Sequence, residues 1–187
     1  MGRKPDERGG ALCDIDDVVA PARDRARFES MQHGVEVERK FLLSGLPPTM
    51  RYARREPIRQ GYIALDGDTE VRVRITPKAA VLTIKSGHGG VRIEEEVTLD
   101  RRQGDALWEL TEGRRVQKTR RRVRIGDAEA EIDVYSGALD GLVVAEVEFA
   151  DEEAARAFEP PAWFRREVTD DRRYSNRCLA SDGIPAG

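Results

Sequence analysis

The stretch VEVERKFLL, Val35 to Leu43, carries the first sign of chemistry in the chain. Read with the period of a strand, it places Glu36, Glu38 and Lys40 on one side and Val35, Val37, Arg39 and Phe41 on the other. The pattern recurs. Arg72 and Arg74 oppose Val71, Val73 and Ile75; Thr83 and Lys85 oppose Leu82 and Ile84; Arg92, Glu94 and Glu96 alternate with Ile93 and Val97. Lys118, Arg120, Arg122 and Arg124 share one row, Glu131 and Asp133 oppose Ile132 and Val134, and Glu146 and Glu148 oppose Val147 and Phe149. Paired carboxylates suit hard divalent cations, and several Arg and Lys side chains aimed at one place suit a multiply charged anion whose oxygens accept bidentate hydrogen bonds. A metal-bound polyphosphate needs both. Histidine is scarce, His33 and His88 only, and neither falls in a charged row, so the ion expected is oxygen-ligated Mg2+ or Mn2+ rather than zinc.

Alternating apolar and charged residues also describe an ordinary half-buried sheet, whose solvated side carries cross-strand ion pairs of about 0.2–1 kcal/mol each. Two features favour a binding face. The charges segregate strand by strand into carboxylate pairs and cation pairs, and a sheet closed into a barrel could cover its apolar outer side with helices and keep the charges inside. An interior of that kind is too costly to bury dry and would hold water, metal ions and a ligand.

The elements that must position these residues are mostly strands. Besides the opening stretch, RQGYIAL and TEVRVRIT flank an Asp-Gly turn, AVLTIK and VRIEEEVTL flank SGHGG, VQKTRRRVRI and AEAEIDVYS flank GDAE, and LVVAEVEFA follows. That makes about eight strands in hairpin order, an antiparallel sheet. Helices are expected in DRRQGDALWELTEG, with Asp100 as N-cap and Gly113 as stop, in DEEAARAFEPP, after Pro47 and Pro48, and in DDRRYSNRCLA. The fold class is α+β: short helices packed on an antiparallel sheet of about eight strands built from hairpins. KSGHGG lacks the Lys-Ser/Thr ending of a phosphate-binding loop and reads as a hairpin turn, and Trp108, Trp163 and Phe164 read as packing residues.

Composition narrows the setting. Residues 1–30 mix charges, Gly and Pro without apolar periodicity and are expected to form a disordered extension, with Met31 a candidate for the true start; residues 31–182 form one domain and 183–187 a flexible tail. Charged residues make up 36% of the chain against about 25% in an ordinary domain, yet 32 basic residues face 35 acidic ones, which argues against a nucleic-acid clamp. Two cysteines, Cys13 and Cys178, are too few for a disulfide framework, and no signal peptide or membrane span is visible. A cytoplasmic protein without membrane or nucleic-acid partners is expected, with homodimer formation left open.

The series VEVERKFLL, QGYI, EVRVRI, LTIK, VRIEEEV, VQKTRRRV, AEIDVY, LVVAEVEF and REVTDDRRYSNRCLA resembles, in order from Val35 to about Ala180, the CYTH domain, the fold of the triphosphate tunnel metalloenzymes. Its first member resembles that family's Glu-x-Glu-x-Lys signature. The resemblance implies an eight-stranded antiparallel closed β-barrel that forms a tunnel, with the short helices packed outside, dependence on Mg2+ or Mn2+ and action on triphosphates. By position, Glu36 and Glu38 match the first metal-ligating pair and Lys40 the lysine facing phosphate, a set that would be catalytic. Arg72, Arg74, Lys85, Lys118 and Arg120 match the phosphate-binding cations, and Glu94, Glu96, Asp133, Glu146 and Glu148 the remaining acidic, metal-holding wall. Two positions depart from the pattern: Arg165 stands where a glycine is common, and Arg121 where an aromatic is common; Arg121 is expected to point outward into water. ERKFLL resembles the small bacterial inorganic triphosphatases. Thiamine triphosphatase and class IV-type adenylate cyclase are alternatives within the family, and a polyphosphate- or nucleotide-binding module without catalysis is the alternative outside it.

Overall fold

The computed structural model describes residues 37–47, 50, 53–87, 93–126 and 128–186. Nine strands occur in it: β1 (Val37–Leu43), β2 (Glu56–Asp66), β3 (Thr69–Ile75), β4 (Ala80–Ser86), β5 (Ile93–Leu99), β6 (Arg115–Ile125), β7 (Ala128–Ser136), β8 (Val143–Phe149) and β9 (Phe164–Glu167). They form one antiparallel sheet in the order β5-β4-β3-β2-β6-β7-β8-β1-β9. Helices α1 (Arg101–Glu109), α2 (Glu152–Ala157) and α3 (Asn176–Asp182) complete the α+β fold, with 3-10 turns at Gly137–Leu139 and Arg172–Tyr174.

The expected eight-stranded closed barrel is corrected in two respects. A ninth strand, β9, adds to β1 through Phe41 and Leu43, and β5 and β9 end the sheet without hydrogen bonds to each other, so pairing among the described strands does not close a ring. Four residues with three exposed charges, FRRE, carry no period of their own. Arg39 supplies what holds β9: its guanidinium meets Glu167 at 2.7 and 2.9 Å and donates to the carbonyls of Ala155 and Phe158, both at 2.9 Å.

The sheet buries both faces, each against a different partner. On the outer face, Phe41, Ile132, Ala145, Val147 and Phe164 pack with Phe158 and Trp163, and Val73, Ile75 and Ala80 pack beneath Trp108 of α1. Helix α1 starts where expected, in a capping box between Asp100 and Gln103, but ends at Glu109 with Leu110 as C-cap, four residues before Gly113. On the inner face, Tyr62, Val116, Tyr135 and Val144 form an apolar cluster with Tyr174, Leu179 and Ala180. Helix α3 is therefore inside the curve of the sheet, not outside, and the single helix expected in DDRRYSNRCLA is a 3-10 turn followed by α3. The helix expected after Pro47 and Pro48 lies largely outside the described residues. Arg121 does point outward, yet it is buried, its Nε without a hydrogen-bond partner, and burial together with the charge of Arg55 draws its pKa down.

Candidate active site

Strand register gathers the charged residues onto the inner face. Lys40 lies opposite Glu146, which lies opposite Glu131 on the next strand; Asp133 lies opposite Arg120; Arg72 lies between Tyr62 and Thr83; and Lys85 lies between Glu70 and Glu94. Because cross-strand neighbours share a face, all the expected cations, Lys40, Arg72, Arg74, Lys85, Lys118 and Arg120, belong to one surface. Glu38, Glu94, Glu96, Asp133, Glu146 and Glu148 belong to it too. Glu36 lies outside the described residues, as do Arg92, His33 and His88.

The centre of this surface is a buried ion-pair network. Asp133 accepts from Lys118 Nζ at 2.5 Å and from Arg120 Nε and Nη2, both at 2.8 Å. Arg120 continues to Glu131 and, at 3.2 Å, to Glu146, which also binds Lys40 Nζ at 2.9 Å. Burial alone would raise the Asp133 carboxyl, but Lys118 and Arg120 hold it below the usual carboxylate range; Lys118 and Lys40 do the same for Glu146. Burial pushes the Lys118 ammonium down, whereas the hydrogen bonds and charge of Asp133 outweigh burial at Arg120 and hold it above the ordinary arginine value.

A second cluster continues the surface across β3, β4 and β5. Lys85 Nζ meets Glu94 at 2.6 Å, Arg72 approaches Glu70 at 3.5 Å and Glu94 at 3.9 Å, and Thr83 donates to Glu96 at 3.1 Å. Arg74 joins the two clusters. Its Nε donates to Gln60 at 3.1 Å, Gln60 donates to the Tyr62 hydroxyl at 2.8 Å, and burial, with the charges of Arg72 and Arg120, draws the Arg74 pKa down. The Tyr62 phenol is pushed up to about 12 by burial and by Glu70.

This face interleaves six cations with carboxylates, and the chain's sequence matches a known family model, the CYTH domain, over residues 34–177. The chain belongs to the CYTH domain family. It is 45% identical over 147 residues to an inorganic triphosphatase of Nitrosomonas europaea, covering 78% of this chain and 96% of that one. It is 36% identical over 151 residues to an inorganic triphosphatase of Acetivibrio thermocellus, covering 80% and 95%. The crystal structure of the inorganic triphosphatase NE1496, 41% identical, superposes with a TM-score of 0.68 over 82% of this chain and 99% of that one.

Triphosphate tunnel enzymes of the CYTH family are metal-dependent. In this member, Glu38 lies directly opposite Glu148, and Glu148 opposite Glu129, so three carboxylates form a cross-strand row on the inner face. Like charges placed opposite one another destabilise a sheet, and a hard cation with oxygen ligands reverses the sign of that interaction. The donor chemistry fits a divalent ion, although no three acidic, His or Cys side chains among the described residues converge on one point.

The charge pattern in the sequence missed the neutral members of the site. Gln60, Tyr62, Tyr135 and Asn176 bond to charged site residues or to one another, while Thr83 and Glu131 stand in the rows read from the sequence with no role assigned. RQGYI contains two of them at an i, i+2 spacing, Gln60 and Tyr62, which was the available signal.

Proposed function

We propose that this CYTH domain hydrolyses inorganic triphosphate to pyrophosphate and phosphate with the help of Mg2+ or Mn2+. The observation that carries the reading is the single face on which six Lys and Arg side chains interleave with carboxylates, in a chain whose close relatives are inorganic triphosphatases. Arg72, Arg74, Lys85, Lys118, Arg120 and Lys40 take the phosphate oxygens, exchanging part of their carboxylate contacts for them. Glu36, Glu38 and Glu148 are the residues best suited to hold the ion, with Glu94, Glu96, Asp133 and Glu146 lining the acidic remainder. Bound there, a divalent cation would supply charge neutralisation on the phosphate chain and a more acidic water. Lys40, paired with Glu146 and two residues from Glu38, would serve both metal and phosphate in this reading.

Little covalent work falls to the protein. Water attacks a terminal phosphorus, the P–O bond to the leaving pyrophosphate breaks, and the cations stabilise the charge that moves onto the leaving oxygens. The relatives' names favour the inorganic substrate over ATP or thiamine triphosphate.

The test is incubation of the purified protein with tripolyphosphate, ATP and thiamine triphosphate, with and without Mg2+ or Mn2+, following phosphate, pyrophosphate and cyclic AMP. Metal-dependent release of one phosphate per tripolyphosphate is expected, with far slower turnover of the other two. Cyclic AMP as the main product from ATP would make the protein a cyclase. No turnover of any of the three with either metal would leave a polyphosphate-binding module.

A further inference from the structure

Helix α3 does more than fill the inner apolar cluster. Asn176, its first residue, extends Oδ1 to Lys118 Nζ at 3.3 Å and accepts from the Tyr135 hydroxyl at 2.9 Å. The orientation of this amide is set by chemistry: a lysine ammonium has only donors, so the atom facing it must be the carbonyl oxygen. Tyr135 holds the same oxygen from the other side, and the Lys118 ammonium lies 5.4 Å from the Tyr135 ring. Lys118 is thereby fixed by Asp133, Asn176 and an aromatic face.

We infer that Asn176 is a positioning residue for the phosphate site: through Lys118 it makes the C-terminal helix part of the triphosphate-binding machinery. The inference rests on Lys118 binding substrate phosphate, as proposed above. A buried lysine with a flexible stem has several rotamers, and each acceptor that fixes its head reduces the entropy lost when phosphate binds. Asp133 alone leaves the ammonium free to swing about one contact. Asn176 adds a second point without adding a negative charge, which an anion site could not accept without loss of affinity. The arrangement requires α3 to be anchored, and it is: Ser175 caps the helix by accepting from the Cys178 N–H at 3.2 Å, and Leu179 and Ala180 are buried in the cluster beneath.

The experiment is calorimetric titration of tripolyphosphate in chelator into the full-length protein and into Asn176→Leu, Asn176→Ala, Lys118→Met and the Asn176→Leu/Lys118→Met double variant, each beside its melting temperature. Asn176→Leu and Asn176→Ala should each weaken metal-free binding by about tenfold, the effect of one ordered charged contact. Little further loss is expected when Asn176→Leu is added to Lys118→Met, because the asparagine acts through the lysine. If Lys118→Met leaves binding unchanged, the phosphate-site reading itself fails. If Lys118→Met weakens binding but the Asn176 variants do not, or if Asn176→Leu weakens it as much without Lys118 as with it, the positioning role is overturned and the binding face stands.

Discussion

Arg120 and Asp133 meet edge to edge: the arginine's Nε lies 2.8 Å from Oδ1 and its Nη2 2.8 Å from Oδ2, across directly paired positions of β6 and β7. The aspartate is fully buried and also receives Lys118, so two cations of the proposed phosphate face share one carboxylate. Without a ligand, Lys118 and Arg120 already have carboxylate partners. Triphosphate binding is then an exchange of partners, in which phosphate oxygens take over N–H groups from carboxylates, and the gain is the difference between two charged contacts rather than the whole of one.

Asp133→Asn should destabilise the ligand-free protein by about 3–5 kcal/mol, since two buried cations lose their shared counter-charge. Urea unfolding at neutral pH measures it. Tripolyphosphate should then raise the melting temperature of the variant more than that of the parent, because the anion restores what was removed. A loss below about 1 kcal/mol, within reach of an ordinary surface substitution, would mean that the pairing contributes nothing net.

Removing charges of opposite sign should separate binding from turnover. Arg72→Ala should weaken tripolyphosphate binding about tenfold to a hundredfold with or without metal. Glu148→Gln removes one of the opposed carboxylates, so metal-free binding should hold or tighten while metal-dependent turnover collapses. Equal weakening of metal-free binding by both variants, or undiminished turnover in Glu148→Gln, would break the division of labour between carboxylates and cations.

Acid should loosen the apo protein at a particular place on the pH scale. Asp133, Glu146 and Glu167 are each held below the ordinary carboxylate range, the first two by Lys118 with Arg120 or Lys40, the third by Arg39. A carboxyl depressed on folding adds stability above its unfolded pKa of about 4, and that stability is lost as pH falls through the folded value. Melting temperatures should therefore be level from pH 7 to about 5 and drop below that. In Asp133→Asn the drop should be shallower; an equally steep one would place the sensitive groups elsewhere.

Much of this was legible in VEVERKFLL and its later counterparts, because a strand's period of two separates faces and charge marks which face is which. Strands β1 to β8, the cap at Asp100 and the packing roles of Trp108, Trp163 and Phe164 follow from such local signals. What failed was non-local. Strand β9 exists because Phe41, Leu43 and Arg39 offer it an edge and a clip, not because FRRE prefers to be extended. The burial of Arg121 depends on neighbours distant in sequence. Asn176 and Tyr62 carry no charge to betray them, and only the packing of α3 and the register of β2 bring them to the cations.

Gly61 offers a test of how tightly the backing of the site constrains it. It sits between Gln60 and Tyr62, and a Cβ there would lie 2.6 Å from the buried Thr111 Cβ. Thr111 is itself tied down, donating to the Trp108 carbonyl at 2.7 Å and accepting from Arg115 at 3.1 Å. Gly61→Ala should lower stability by about 1–3 kcal/mol through overpacking. It should also weaken tripolyphosphate binding by displacing the Gln60 link to Arg74. Full stability by urea unfolding together with unchanged affinity would show that the loop after α1 yields freely.

The open end of the sheet at β5 has a bearing on how the protein survives at high concentration. An edge strand with unsatisfied N–H and C=O groups is adhesive toward any other strand, and this one also exposes Ile93 and Val97. Its middle is Glu94, Glu95 and Glu96 in succession, one carboxylate outward between two inward. Two such edges brought together in register would stack like charges across their middle, so the run that furnishes acidic wall on one side also keeps copies of the chain from zipping together. That guard is electrostatic and fades where carboxylates protonate or salt is high, conditions under which aggregation, rather than unfolding, should set the limit of solubility.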